Sequence, residues 1–315
     1  MTDQSKIPLP ATGPSLIERA SGTFDFRTMT RPVVPDLPPA PTPKVVAAPA
    51  PFVAPKPVAA APEPAPEPEV RHFNGPRHAI DRAHLREQCL IEPESSVTGL
   101  LEEFRIVKRQ LLRTAAETRG DLHGERILVA SAHPGEGKTF CAVNLALSMA
   151  AEKDTEVLLV DADFAKPSVL STLGLPGGPG LMDALADPGI AVEDCVLGTD
   201  IAGLYVLPAG NATGSDTEYL ASARTEVVLE RLTRHAPNRI VIFDSPPVLA
   251  ASPASVLAHH VGQTVVVVRA DLTGEAALRD AVSLLGACED IKLLLNGTRF
   301  STTGRRFGTY YGYKE

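Results

Sequence analysis

The 315-residue chain lacks tryptophan, has only 5% aromatic residues and holds just four cysteines. Cys89, Cys141, Cys195 and Cys288 lie far apart with no pair at zinc-ligand spacing, so they read as reduced thiols of a cytoplasmic protein. Long apolar runs are missing too. Val265–Val268 falls far short of the ~18 residues that a membrane span needs. The opening Met-Thr-Asp-Gln-Ser-Lys has no apolar stretch behind its charge, so no signal peptide is expected. An excess of positive charge is absent as well. The net charge of −8 argues against a nucleic-acid binder that works by neutralising phosphates. The length allows one or two domains with a sizeable core.

Proline is plentiful but unevenly placed, with 14 of the 29 residues lying between Arg31 and Val70. Each proline fixes φ and removes a backbone donor, so segment 31–70 is expected to be a disordered, polyproline-like Pro/Ala-rich spacer. Ahead of it, within residues 1–30, Ser15–Ala20 has the length of one or two helical turns, suited to docking on another molecule. From about residue 71 to 298 the composition is that of a globular domain. Leu100, Phe104, Val107 and Leu111 form an apolar stripe at helical spacing, within an expected helix over 97–118. Strands are expected at Arg126–Ser131, Glu156–Asp161, Gly203–Leu207, Arg239–Asp244, Thr264–Arg269 and Ile291–Asn296. Helices are expected at Thr139–Glu152, Thr217–His235 and Gly274–Ala287. Continuous apolar strands alternating with helices predict an α/β fold, a doubly wound and mostly parallel sheet covered on both faces.

The run Ala132-His133-Pro134-Gly135-Glu136-Gly137-Lys138-Thr139-Phe140 stands between an expected strand and an expected helix. That is the setting of a phosphate-binding P-loop, although Ala132 replaces the usual first glycine. Backbone N–H groups of the loop His133–Phe140, Pro134 excepted, and the helix N-terminus would cradle phosphates. Lys138 would face the β- and γ-phosphates, and the Thr139 hydroxyl would coordinate Mg²⁺. A second apolar strand runs into Asp161-Ala162-Asp163, where residues two apart on an extended chain would aim both carboxylates at one spot. Two such charges need a metal or a proton to relieve them. A third strand ends at Asp244, followed by Ser245-Pro246-Pro247, and fits a second acid near Mg²⁺. All these groups fall at the C-terminal ends of strands, where open α/β sheets bind ligands. The tail 299–315 carries Tyr310, Tyr311 and Tyr313, three of only five tyrosines, and is expected to be mobile.

These motifs together resemble the bacterial tyrosine autokinases of polysaccharide export, and more narrowly their cytoplasmic, exosortase-associated form. The helical run Glu102-Glu103-Phe104-Arg105-Ile106-Val107-Lys108-Arg109 is similar to that family's Glu-x-x-Arg-x-x-Arg helix. There Glu102, Arg105 and Lys108 share about a 120° arc of the helix. The resemblance implies that Glu102, Arg105 and Lys108 join subunits into a ring. It implies that the γ-phosphoryl group of ATP passes to Tyr310, Tyr311 or Tyr313, with Asp161 or Asp163 taking the phenol proton. Thr139, Asp161 and Asp244 would then lie around Mg²⁺, and Asn296 would meet the adenine base. A membrane-anchored chain-length regulator is the implied partner, recruiting a cytoplasmic chain to the inner face of the membrane. Two residues depart from the family pattern. Ala165 stands where Arg is usual, with Lys166 next to it, and Lys108 replaces an Arg whose paired hydrogen bonds it cannot reproduce. An ATPase switch or a nucleotide-bound scaffold of the partition and septum-site type is the alternative. Those ATPases carry a second Lys early in the loop, where His133 stands here.

Overall fold

The computed structural model describes residues 73–298, apart from residues 122, 234, 235 and 237. The docking patch Ser15–Ala20, the proline-rich segment and the three tail tyrosines lie outside the described residues. In chain order the elements are β1 (Arg77–His78), α1 (Arg82–Glu87), α2 (Gly99–Glu117), β2 (Arg126–Ser131), α3 (Lys138–Ala150), β3 (Glu156–Asp161), α4 (Val169–Leu173), α5 (Leu181–Ala186) and α6 (Val192–Cys195). There follow β4 (Leu197–Thr199), β5 (Leu204–Leu207), α7 (Asp216–Leu220), α8 (Ala223–Thr233), β6 (Arg239–Asp244), α9 (Pro253–Leu257), a 3₁₀ turn (Ala258–His260), β7 (Gln263–Arg269), α10 (Glu275–Leu284) and β8 (Ile291–Asn296).

Among the described residues the strands form one sheet in the order β1-β4-β5-β3-β6-β2-β7-β8. Every neighbouring pair is parallel except β4 with β5. β2, β3 and β6 lie in the interior of the sheet, and their side chains alternate between two separate apolar cores. Leu128, Leu158, Val241 and Phe243 feed one core, together with α5, α8 and α9. Ile127, Val129, Val157, Leu159 and Ile242 feed the other, beneath α2 and α3. Burial on both faces is why these strands read as unbroken apolar runs. α3 is enclosed by the sheet and α2, so Cys141–Ala150 is buried throughout.

The short elements depart from the expectation. The helix expected over Thr217–His235 is two helices, α7 and α8. At the break the Ser222 and Thr225 hydroxyls both donate to the Tyr219 carbonyl, competing with the helical ladder. β1 and β4 were not expected; they are two and three residues long and are held by pairing with each other and with β5. α2 starts at Thr98, whose side chain accepts from the Leu101 N–H at 3.2 Å. On α2 Phe104 and Leu111 are buried and Leu100 and Val107 pack partly buried against the same core as expected, but Lys108 is buried too. The Lys108 ammonium reaches the Ser148 carbonyl at 2.6 Å and Glu152 at 2.7 Å, so it turns into its own chain, away from the subunit contact that the resemblance implied for it. Glu102 and Arg105 pair with each other.

Candidate functional site

The site begins where β2 ends. The Ser131 hydroxyl donates to the His133 carbonyl, and the chain then turns through Gly135 at φ +79° and Gly137 at φ +97°. Glycine alone takes these angles readily. At Gly137 there is a second reason, because a Cβ would lie 2.1 Å from Nδ2 of Asn296. Asn296, at the end of β8, donates from that nitrogen to the Glu136 carbonyl at 2.9 Å. The carboxylate of Glu136 turns back under the loop. It accepts from the His133 N–H at 2.9 Å and from the Thr273 hydroxyl. The turn after β6 fastens the other side, since the Val248 N–H reaches the Ser131 carbonyl and the Leu249 N–H the Ala132 carbonyl. His133, Pro134 and Gly135 are left exposed at the crest of the loop. Phe140 packs against the core below.

Lys138 and Thr139 occupy the first turn of α3, facing the ends of β3 and β6. The Lys138 ammonium donates to Asp163 at 2.9 Å and lies 3.7 Å from Oδ1 of Asp244. The Thr139 hydroxyl donates to Oδ2 of Asp244 at 2.6 Å and lies 3.1 Å from the Ser168 hydroxyl. Asp161 and Asp244 are register partners on adjacent strands. Asp161 and Asp163, however, do not aim at one spot. β3 ends at Asp161, so the alternation of an extended chain no longer governs Asp163. Asp161 instead accepts from the backbone N–H groups of Asp163, Ser168 and Val169, and Asp163 alone meets the lysine. Lys166, next to Ala165, is exposed, and its N–H donates to Asp163.

The electrostatics follow from burial. Asp244 is fully buried, and desolvation raises its carboxyl to about 7 despite the opposing pull of Lys138 and the Thr139 hydrogen bond. Burial also raises Asp161, against the lowering effect of its backbone donors. Near Asp244, the Cys141 thiol is pushed up to about 12 by burial, which removes it as a nucleophile. Oδ1 of Asp244 is buried without a hydrogen-bond donor. A buried carboxylate oxygen left open beside a hydroxyl and a second carboxylate is a set of hard oxygen donors, and this fits Mg²⁺. Thr139, Asp163, Asp244 and Ser168 are thus brought together around Lys138. Ser168 and Thr273 were missed by sequence reasoning, because single hydroxyls in loops far along the chain carry no motif.

Residues 124–292, a little over half the chain, match the family described as AAA domain. The chain is 31% identical over 230 residues to Tyrosine-protein kinase YwqD of Bacillus subtilis, covering 72% of this chain and 91% of that one. It is 29% identical over 192 residues to Tyrosine-protein kinase wzc of Salmonella typhimurium, covering 60% of this chain but 26% of that one. Among solved structures, the BceF Tyrosine Kinase Domain superposes with a TM-score of 0.53 at 28% identity, over 61% of this chain and 76% of that chain.

Proposed function

The chain belongs to the bacterial tyrosine-protein kinases built on a P-loop AAA domain, and on that premise we propose that it transfers the γ-phosphoryl group of MgATP to its own tail tyrosines, Tyr310, Tyr311 and Tyr313. The observation that carries this reading is the cluster of Lys138, Thr139, Asp163 and Asp244, with one oxygen of Asp244 left unbonded. When bound, Mg²⁺ supplies charge neutralisation to the phosphates, and Thr139 and Asp244 are the residues that would hold it.

The chain's own residues account for the rest. Loop N–H groups from Gly135 to Phe140 bind the phosphates. Lys138 leaves Asp163 for the β- and γ-phosphates, where its charge counts most as negative charge builds on the leaving oxygen. That move frees the carboxylate of Asp163. A tyrosine hydroxyl then attacks the γ-phosphorus, its proton passes to Asp163, and the bond to the β-phosphate oxygen breaks to leave ADP. Asp163 suits the base role better than Asp161, whose carboxylate already accepts three backbone N–H groups. The bonds from Asn296 and Thr273 to Glu136 support the loop shape that binding needs.

Transfer between subunits is part of the proposal, with Glu102 and Arg105 at the contact. Their mutual pairing and the exposed Ile106 beside them support such a surface. No helix among the described residues is long and apolar enough to cross a membrane. A membrane-anchored regulator of polysaccharide chain length is the proposed partner, bringing the kinase to the inner face of the membrane and activating it. The test is to incubate purified protein with MgATP and map phosphotyrosine by mass spectrometry. Phosphate on Tyr310, Tyr311 or Tyr313 is expected. ATP hydrolysis without phosphotyrosine would instead make the chain an ATPase switch.

A further inference from the structure

The ends of the strands remote from the P-loop carry a second cluster. His123 lies in the turn before β2, Glu226 in the first turn of α8 and His260 in the 3₁₀ turn before β7. One carboxylate oxygen of Glu226, Oε2, lies 3.3 Å from Nε2 of His123 and 2.8 Å from Nδ1 of His260. The three donor atoms all fall within 4.8 Å of one another. The other oxygen of Glu226 is held by the buried Arg126 at 3.2 Å, and the same guanidinium binds the His260 carbonyl.

The geometry points to a metal-binding site formed by His123, Glu226 and His260, selective for Zn²⁺ or a similar borderline cation over Mg²⁺. Two imidazoles and one carboxylate are a donor set that zinc takes with three protein ligands and a water. Zinc–nitrogen and zinc–oxygen bonds of about 2.0–2.1 Å in a tetrahedron put neighbouring donors roughly 3.3 Å apart, and here the carboxylate oxygen lies 3.3 and 2.8 Å from the two imidazole nitrogens, with all three atoms within 4.8 Å. Arg126 acts as the outer partner that orients the carboxylate, as metal-ligating groups commonly require. Each of the three ligands is half-buried, which shields the site yet leaves a side open for a water. Without a cation both ring nitrogens donate hydrogen to Glu226. With one bound, each ring moves that hydrogen to its other nitrogen, and both lone pairs face the metal.

Occupation would tie the turn after α2 to α8 and to the turn before β7, at the opposite end of β2 from the phosphate loop. The test uses metal-stripped full-length protein without nucleotide and with excess Mg²⁺, titrated with Zn²⁺ by calorimetry and with Co²⁺ by visible absorption. Wild-type protein is expected to bind one Zn²⁺ that is lost or weakened at least about tenfold in His123→Ala and His260→Ala, the scale on which even outer partners of ligands register. Its Co²⁺ form should show tetrahedral d–d bands that both variants lack, and kinase activity with MgATP alone should stay within about twofold of wild type. Equal Zn²⁺ affinity in wild type and the double variant, or no Co²⁺ bands in wild type, overturns the proposal. Should either variant misfold by circular dichroism, anomalous diffraction at the zinc edge from wild-type crystals decides. A peak between the three side chains supports the site, and peaks elsewhere only, or none, refute it.

Discussion

The two ends of the central strands hold charge in opposite ways. At the C-terminal ends, Asp163 and Asp244 share the single ammonium of Lys138, Asp161 is held by backbone N–H groups, and one oxygen of Asp244 is left without a donor. At the N-terminal ends, each buried arginine meets a carboxylate, Arg126 with Glu226 and Arg239 with Glu156. Arg239 is further enclosed by the Leu232 carbonyl and the ring of Phe73. Strands of similar composition thus finish in an electrostatically incomplete end and in one where each buried arginine has its own carboxylate, although Nε of Arg126 lacks an acceptor. The incomplete end costs stability in the free protein and gains a binding site for cation and phosphate, because a buried carboxylate without full compensation awaits a ligand. The complete end fixes the strands in place.

The largest expected effect is at the incomplete end. Lys138→Met should lower autophosphorylation by about 10³-fold or more, measured by phosphotyrosine formation, because it removes the charge that meets the transferring group. The melting temperature should fall as well, because Asp163 and the buried Asp244 lose their shared cation, so the fold of the variant is checked by circular dichroism. Near wild-type activity in a folded variant would show that charge convergence here is structural only.

Asp163→Asn comes next, with an expected loss of about 10²-fold or more in kcat from the missing proton acceptor. Asp161→Ala should differ in kind. It strips the acceptor from three backbone N–H groups and should cost about 1–3 kcal/mol in denaturant unfolding. If the asparagine variant loses stability instead of rate, the division of labour between the two acids is reversed.

Asp244→Asn tests the stored cost directly. Its carboxyl is raised by burial to about 7, so between its unfolded value near 4 and pH 7 the folded chain binds the extra proton. Stability of the nucleotide-free wild type should therefore fall as pH rises through that window, levelling off above about 7. The asparagine variant should lack this slope and exceed wild type by about 1–3 kcal/mol at pH 8, while losing Mg²⁺-dependent activity. Parallel stability–pH curves for the two proteins would remove the idea of an uncompensated carboxylate.

The smallest effect belongs to the complete end. Glu156→Gln leaves Arg239 its carbonyl and ring contacts, and Glu156 is 43% exposed, so the loss should stay under about 1 kcal/mol with kcat unchanged.

What could be read from the sequence follows the same division. β2, β3, β6 and β8 end where their apolar runs end, and Lys138, Thr139 and Asp244 meet at those ends, whereas the expected convergence of Asp161 with Asp163 does not occur. These features are local: an apolar run, then a polar or charged residue at a turn. β1 and β4 are too short to carry a pattern and exist because each supplies the other's hydrogen bonds. The inward turn of Lys108 depends on a carbonyl forty residues away, and the fastening of Glu136 depends on Thr273 and Asn296. Contacts of that range are settled by packing, and no spacing along the chain reveals them.

The pairing of Asp161 opposite Asp244 has a consequence for how this gene can vary. Substitutions that keep bulk and polarity would be absorbed by the two-sided core, but a one-residue deletion inside β3 or β6 would shift the ladder by a step. Every side chain on that strand would change face, and its terminal acid would drop out of line with its partner. Length changes should therefore be purged from Glu156–Asp161 and Arg239–Asp244 and tolerated in the exposed stretch around Gly177 and Gly178, where an added side chain meets nothing. A library of single-codon deletions scored for phosphotyrosine would draw this boundary residue by residue.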